Sequence, residues 1–220
     1  MKLSLVESAK IFRDDSGEFR VYKTPEGNQY PSVSTVLGMT ADKTYLDAWR
    51  ARVGEDVANA ISKDATTRGS LIHENVENKI LGKPLTFDMY QQVERDMYNQ
   101  LLPVLDDISE AFCVETQLYS DKLKVAGTVD FAGMYKGRPT VIDWKTSSRV
   151  KHRSDIPDYF LQCSAYAFMI YERTKIVVSD MLIAMTTPDD GLILFEEKTS
   201  DHLMKFIERR KLFTNIKETK

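Results

Sequence analysis

The stretch GTVDFAGMYKGRPTVIDWKTSS, residues 127–148, decides both the predicted fold and the predicted site. Short runs rich in Val, Phe and Thr are separated by turn residues, which is typical of two β-strands joined near Tyr135–Arg138. Asp130 lies in the first strand, while Asp143 and Lys145 lie two residues apart in the second, on one face of the sheet. A hairpin would therefore bring two carboxylates and one ammonium group to the same end of the sheet.

The sequence on either side of this stretch predicts an α/β fold. Apolar residues at three-to-four spacing predict helices over about 42–63 and 87–111, with a helix between them that ends near Gly82. After the strands, a helix over about 155–172 precedes two more strands and a helix from about Ser200. This order predicts a central mixed β-sheet flanked by helices, with an N-terminal helical elaboration.

The domain organisation is predicted to be simple, because the 220 residues show no internal repeat and no linker-like stretch. We expect a single domain over residues 1–220. Within it, residues 1–40 form an N-terminal hairpin and lead-in, residues 41–111 form a helical part, and residues 112–220 form the sheet core that carries the motifs.

Composition excludes several classes of protein. Hydrophobic residues make up 42% and charged residues 29% of the chain, and no apolar run reaches the ~20 residues of a membrane helix, so no membrane partner is expected. Cys113 and Cys163 are too few for a disulfide scaffold, and the N-terminus lacks the pattern of a signal or transit peptide. These features predict a cytoplasmic protein of a bacterium or of a phage-infected cell. The net charge of −3 argues against coating nucleic acid by bulk charge, but it permits a local basic groove.

Two carboxylates beside a lysine suit metal-assisted phosphodiester hydrolysis. Oxygen ligands select Mg²⁺ or Mn²⁺, which polarises a phosphate and lowers the pKa of a bound water, and a lysine can orient that water. An exposed charge pair on a strand edge is the alternative interpretation of this spacing. However, Asp143 interrupts the apolar run of Val141, Ile142 and Trp144, where a buried carboxylate requires a compensating cation or hydrogen bonds.

Two further pairs have helical spacing. His73 follows Gly69 by four residues, and it is either a metal ligand or an ordinary surface histidine. Gln162 and Tyr166 share one face of the predicted helix after the strands, where both could hydrogen-bond a phosphate or the attacking water. Without the neighbouring motifs, this would be an unremarkable half-buried helix.

A basic segment follows the second strand. KTSSRVKHR, residues 145–153, contains Arg149, Lys151 and Arg153 and no acidic residue. It could be a solvated loop, but its position next to the predicted metal site favours contact with a nucleic-acid backbone.

Taken together, these motifs resemble the PD-(D/E)XK nuclease superfamily, in particular its RecB-like branch and the mitochondrial genome maintenance exonuclease group. The matching pairs occur in the order of that family: Gly69 with His73, Gly127 with Asp130, Asp143 with Lys145, and Gln162 with Tyr166. The resemblance to the mitochondrial group extends from about Tyr30 to the C-terminal helix. The chain lacks the cysteine clamp of the iron–sulfur RecB-like nucleases, so no cluster is expected.

The resemblance implies a role for each of these residues. The metal ligands that it implies are His73, Asp130, Asp143 and the backbone carbonyl of Trp144. Lys145 would position the attacking water, Gln162 and Tyr166 would support the site, and Glu115, in the preceding strand, would orient a ligand or Lys145. The implied cofactor is Mg²⁺ or Mn²⁺.

The activity implied by the resemblance is that of an exonuclease that degrades single-stranded DNA from free ends, in DNA replication, repair or recombination. A duplex exonuclease or a structure-specific endonuclease could use the same site, and an inactive DNA-binding module is the non-enzymatic alternative. The complete set of Asp130, Asp143 and Lys145 argues for an active enzyme. The sequence predicts no particular protein partner.

Overall fold

The computed structural model describes residues 1–218, which form two β-sheets and a set of flanking helices. The strands are β1 (Lys2–Leu3), β2 (Phe12–Asp14), β3 (Val21–Lys23), β4 (Gln29–Pro31), β5 (Ile108–Ser120), β6 (Val125–Tyr135), β7 (Arg138–Thr146), β8 (Asp180–Thr187) and β9 (Gly191–Lys198). The helices are α1 (Val33–Thr40), α2 (Thr44–Val53), α3 (Glu55–Ile80), α4 (Gln92–Gln100), α5 (Leu102–Asp106), α6 (Pro157–Thr174) and α7 (Ser200–Glu218).

The larger sheet confirms the predicted fold class. Its six strands lie in the order β1-β5-β6-β7-β8-β9. The β1–β5 and β7–β8 pairs are parallel and the remaining pairs are antiparallel, so the sheet is mixed. Strands β6 and β7 form the predicted hairpin, which turns between Tyr135 and Arg138. The two strands that carry the candidate catalytic residues are therefore neighbours in the middle of the sheet.

Helices cover both faces of this sheet. Alternate residues of β7 enter two separate cores, because successive side chains of a strand point to opposite faces. Val141 packs into the core formed with α1, α6 and α7, whereas Ile142 and Trp144 pack into the core formed with α3, α4 and α5. The end of β7 thus lies between helices α3 and α6, which carry His73 and Gln162.

The N-terminal hairpin is part of the smaller sheet, β2-β3-β4, which leads into α1. Ser32 caps α1 by accepting a hydrogen bond from the backbone N–H of Thr35, at 2.8 Å. The ring of Tyr30 stacks on Tyr119 of β5, and its hydroxyl donates to Asp121. These contacts hold the small sheet against the larger one.

The helix predicted over 42–63 is wrong in its boundaries. It is divided at Gly54, whose φ of +89° is a conformation that glycine adopts without strain. Helix α3 then continues without interruption from Glu55 to Ile80. Gly69 and His73 consequently lie in the interior of a long helix, not near its start.

The helix predicted over 87–111 is also too long. It consists of α4 and the short α5, with Pro103 in the first turn of α5, where its missing N–H breaks no helical hydrogen bond. Strand β5 already begins at Ile108, four residues before the predicted start of the sheet core at 112. The last two residues of the predicted domain, 219–220, lie outside the described part of the chain. Within residues 1–218, no helix has the length and apolar character needed to cross a bilayer.

Candidate active site

The β6–β7 hairpin places Asp130 and Asp143 side by side. Its register pairs Phe131 with Ile142, so Asp130 and Asp143 stand at the next step of the two strands. The backbone N–H of Trp144 donates to Oδ2 of Asp130 at 3.1 Å, which fixes that carboxylate against β7. The alternating pattern of the sequence therefore predicts the pairing of these two acidic residues correctly.

Asp143 is buried and makes contacts with two of the expected partners. Only 2% of the residue is exposed, its Oδ2 lies 2.6 Å from Nζ of Lys145, and its Oδ1 accepts a hydrogen bond from Nε2 of Gln162 at 3.1 Å. Burial raises the pKa of Asp143 to about 6, with a further contribution from Asp130 and against the opposing effect of Lys145. Although burial disfavours an ammonium group, the two aspartates raise the pKa of Lys145, so it stays protonated.

His73 reaches the same place from α3. Its Nε2–H donates to the carbonyl oxygen of Trp144 at 2.7 Å, while its Nδ1 lies 3.6 Å from Oδ2 of Asp130 and 3.7 Å from Oε1 of Glu115. Burial would lower the pKa of His73, but the carboxylates of Asp130 and Glu115 outweigh this effect and raise it to about 9. The imidazole is thus attracted to the same oxygens that would hold a cation.

Glu115 belongs to this cluster, although the sequence indicates it only weakly. The pairs Val114–Phe131 and Thr116–Val129 place Glu115 directly opposite Asp130, and the backbone of Glu115 has a φ of +43°. Two like charges opposite each other destabilise a sheet, and a left-handed non-glycine residue is strained. Both features are typical of a functional site in which a cation is bound between the carboxylates.

These residues fit a divalent metal ion. Ligand atoms of His73, Glu115 and Asp130 all lie within 4.8 Å of one another, which is the spacing needed to share one ion. The carbonyl oxygen of Trp144 is adjacent to His73, and Oδ2 of Asp143 is buried beside Nζ of Lys145. A set of one imidazole and several oxygen ligands is compatible with Mg²⁺ and Mn²⁺.

Of the two glycines in the motifs, Gly127 allows a supporting residue to approach, whereas Gly69 is not required by packing. A Cβ atom on Gly127 would lie 2.9 Å from the hydroxyl oxygen of Tyr166, so glycine makes room for this buried ring against β6. Burial raises the pKa of the Tyr166 hydroxyl, and the negative charges of Asp130 and Asp143 raise it further. At Gly69, a Cβ atom would meet only Oγ1 of Thr146, at an ordinary 3.6 Å, so an alanine would fit.

The basic segment divides into two parts. Nζ of Lys151 lies 5.6 Å from the ring centre of Tyr159, and Nζ of Lys145 lies 4.9 Å from the same ring. Lys151 is therefore brought near Lys145 of the candidate site, and Arg149, earlier in the segment, is exposed. Arg153 instead forms an ion pair with Glu197 and lies over the ring of Phe160.

An acidic opening beside His73 was not predicted as part of the site. A cavity of about 470 Å³ is lined by Gly69, Ser70, His73, Glu74, Glu77 and Glu115. Glu74 and Glu77 were visible in the sequence next to His73, and their three-residue spacing places them on one side of α3. Carboxylates at this position favour cations in the opening that leads to the metal ligands.

The fold and the cluster of candidate metal ligands are compatible with a nuclease, and comparison with known proteins relates the chain to exonucleases. It is 27% identical over 132 residues to mitochondrial genome maintenance exonuclease 1 of Homo sapiens, a match that covers 56% of this chain and 38% of that protein. The protein of the same name from Xenopus tropicalis is 27% identical over 144 residues, covering 62% of this chain and 42% of the relative. The aligned part is thus less than half the length of these relatives.

Other comparisons add little. No family model matches the chain. A solved structure of a candidate exonuclease from Eubacterium rectale has a TM-score of 0.45 and 11% sequence identity, and it covers 69% of this chain and 68% of that one. The sequence similarity to the mitochondrial exonucleases supports an exonuclease-family relationship for this chain.

Proposed function

We propose that the chain is a metal-dependent deoxyribonuclease that degrades single-stranded DNA from free ends. The observation that carries this proposal is the convergence of His73, Asp130, Asp143 and Lys145 where β6 and β7 meet α3. A half-buried lysine beside a cluster of potential metal ligands suits phosphodiester hydrolysis. The preference for DNA, for single strands and for free ends rests on the resemblance to exonucleases.

Four ligands are assigned to the metal ion in this proposal: the side chains of His73, Asp130 and Asp143 and the carbonyl oxygen of Trp144. Glu115 is a supporting residue that orients His73 from the facing strand. When bound, Mg²⁺ or Mn²⁺ would polarise the scissile phosphate and supply a water of lowered pKa.

The remaining residues act on the water and the phosphate. Lys145, whose ammonium group is held by Asp143, orients the attacking water and stabilises the charge that develops on the phosphate. Gln162 donates to the other oxygen of Asp143 and so fixes the carboxylate in place. Tyr166 supports the site from α6, because its ring packs against Gly127 of β6.

The incoming DNA strand is proposed to contact Arg149 and Lys151 through its phosphates. Lys151 and Lys145 both lie over the ring of Tyr159, which places Lys151 near the lysine of the proposed site, where a DNA phosphate would bind. Arg153, the third basic residue predicted to bind DNA, is already paired with Glu197 and contributes less.

The experiment that tests the proposal uses end-labelled linear single-stranded DNA, blunt duplex and circular single-stranded DNA, each with Mg²⁺, with Mn²⁺ or with EDTA. We expect metal-dependent degradation of the linear single strand, with the circle and the duplex cut far more slowly. Asp143→Asn should abolish cleavage while DNA binding persists, because the nearly isosteric amide carries no charge for the metal. Asp189→Asn, the same change in an exposed turn, is the matched control and should be fully active.

Three outcomes would overturn the proposal in different ways. Rapid cutting of circles would indicate an endonuclease with an open cleft. Equal rates on duplex and single strands would indicate a duplex exonuclease. Retained DNA binding without cleavage in either metal would indicate an inactive binding module.

A further inference from the structure

A second cavity with a distinct chemical character lies between the β5–β6 turn, α6 and α7. Its volume is about 510 Å³. The floor is apolar and is formed by Leu123, Phe168 and Ile207. The rim is basic and is formed by Lys122, Lys124, Arg210 and Lys211. None of these residues belongs to the candidate active site.

The charge of this cavity is opposite to that of the chain. The whole chain has a net charge of −3, yet within residues 1–218 every charged residue that lines the cavity is a cation. These cations come from two separate elements, the β5–β6 turn and α7, so they are brought together by the tertiary fold and not by a run in the sequence. Such a cavity attracts a ligand that is both acidic and apolar.

Arg210 is held in place without a carboxylate. Its Nε donates to the carbonyl oxygen of Lys124 at 3.2 Å, and its Nη1 donates to Oγ1 of Thr214 at 2.6 Å, so both acceptors are neutral. The guanidinium is half-buried, and burial lowers its pKa. A fixed and partly desolvated guanidinium gains more from a carboxylate than a flexible surface lysine does, because it can bind both carboxylate oxygens at once.

We propose that this cavity binds an acidic peptide segment of a partner protein. One or two apolar side chains of the peptide would lie on Leu123, Phe168 and Ile207, and its carboxylates would pair with Arg210 and the lysines of the rim. This combination of an apolar anchor with charged surroundings is common where a short segment binds a folded domain.

A peptide fits this cavity better than a DNA strand does. Among the described residues, the floor has two aliphatic side chains and a single, half-buried phenylalanine, so it lacks the series of aromatic rings on which successive bases stack. The cavity is also distant from the candidate metal ligands along the hairpin. Asp130 is five residues beyond the start of β6 at Val125, which corresponds to roughly 17 Å of strand.

The test measures peptide binding by fluorescence anisotropy in EDTA, without metal and without DNA, so its result does not depend on the proposed nuclease activity. The probe is a labelled heptapeptide of four aspartates followed by glycine, leucine and phenylalanine. We expect saturable binding that weakens as salt rises. A peptide in which leucine and phenylalanine are replaced by alanine should bind at least about tenfold more weakly, because the apolar anchor is lost.

Charge reversal identifies the site. The double variant Lys122→Glu/Lys211→Glu changes two exposed residues and should weaken binding by about tenfold or more, with cleavage of single-stranded DNA unchanged. Lys43→Glu/Lys63→Glu makes the same charge change at exposed positions elsewhere and should bind the peptide like the wild type.

The proposal is overturned if both double variants lose affinity equally, since the peptide would then respond only to overall charge. It is also overturned if the alanine peptide binds as tightly as the original. A third contrary result has two parts: oligothymidylate displaces the peptide, and the Lys122→Glu/Lys211→Glu variant no longer binds oligothymidylate. That result would make the cavity a nucleic-acid site.

Discussion

In the metal-free protein, His73 should make the free energy of unfolding depend on pH. The pKa of His73 is raised to about 9 in the folded protein from an ordinary value of 6.5. Because the folded protein holds the proton on His73 more tightly than the unfolded chain does, the protonated imidazole contributes its full stabilisation below pH 6.5. This contribution is lost as the pH rises through 9. The difference of about 2.5 pH units corresponds to roughly 3.4 kcal/mol. Because 26% of the side chain is exposed, solvent screening reduces the expected loss to about 2–3 kcal/mol.

The assay is urea unfolding in EDTA at a series of pH values between 6 and 9.5. The wild type should lose stability across this range, whereas His73→Gln should lack that loss, because glutamine cannot be protonated. His152→Gln, at an exposed histidine, is the matched control and should retain the wild-type dependence. In saturating Mn²⁺ the loss should disappear, since a metal requires the neutral imidazole. If His73→Gln and the wild type show the same pH dependence, then Asp130 and Glu115 do not act on this histidine.

Three other perturbations have defined outcomes. Lys145→Met should lower turnover by ~10²–10³ while Mn²⁺ affinity measured by calorimetry is retained, and a loss under about tenfold would remove this lysine from catalysis. Gly127→Ala should lower the melting temperature and the turnover together, because the new Cβ would lie 2.9 Å from the Tyr166 hydroxyl and displace the ring; an unchanged melting curve would contradict this packing. The double variant Arg149→Ala/Lys151→Ala should bind single-stranded DNA with a weaker salt dependence. The slope of log affinity against log salt should fall by about 0.7 for each lost phosphate contact. An unchanged slope would mean that the basic segment is a solvated loop without contact to DNA.

The central part of the candidate site could be predicted from local sequence pattern. Asp143 and Lys145 share a face because side chains alternate along a strand, and a tight turn near Tyr135 forces β6 to pair with β7. The spacing of Gln162 and Tyr166 places both on one side of α6, where Gln162 reaches Asp143. Local periodicity and turn residues are sufficient for these contacts.

Other parts depend on long-range contacts that leave no local signal. The parallel pairing of Lys2–Leu3 with β5 joins segments about a hundred residues apart, and nothing in two residues indicates it. The position of Glu115 in the cluster depends on its left-handed backbone and on its register with Asp130. The helix boundaries were wrong where apolar spacing continued past Gly54 and past Asp106, since periodicity alone does not show where the backbone changes direction.

Helix α3 has two halves that differ in how firmly they are anchored. In the first half, from Glu55 to Arg68, the single buried residue is Ala58. The second half, from Gly69 to Ile80, packs Ile72 and Val76 into the core. A helix with little tertiary support is only marginally stable by itself. Amide hydrogen exchange should therefore be fast in the first half and slow in the second. His73 lies just inside the slowly exchanging half, so its imidazole keeps its place even when the preceding turns of α3 unwind. Mutations or insertions in those turns can therefore accumulate without disturbing the candidate ligand His73.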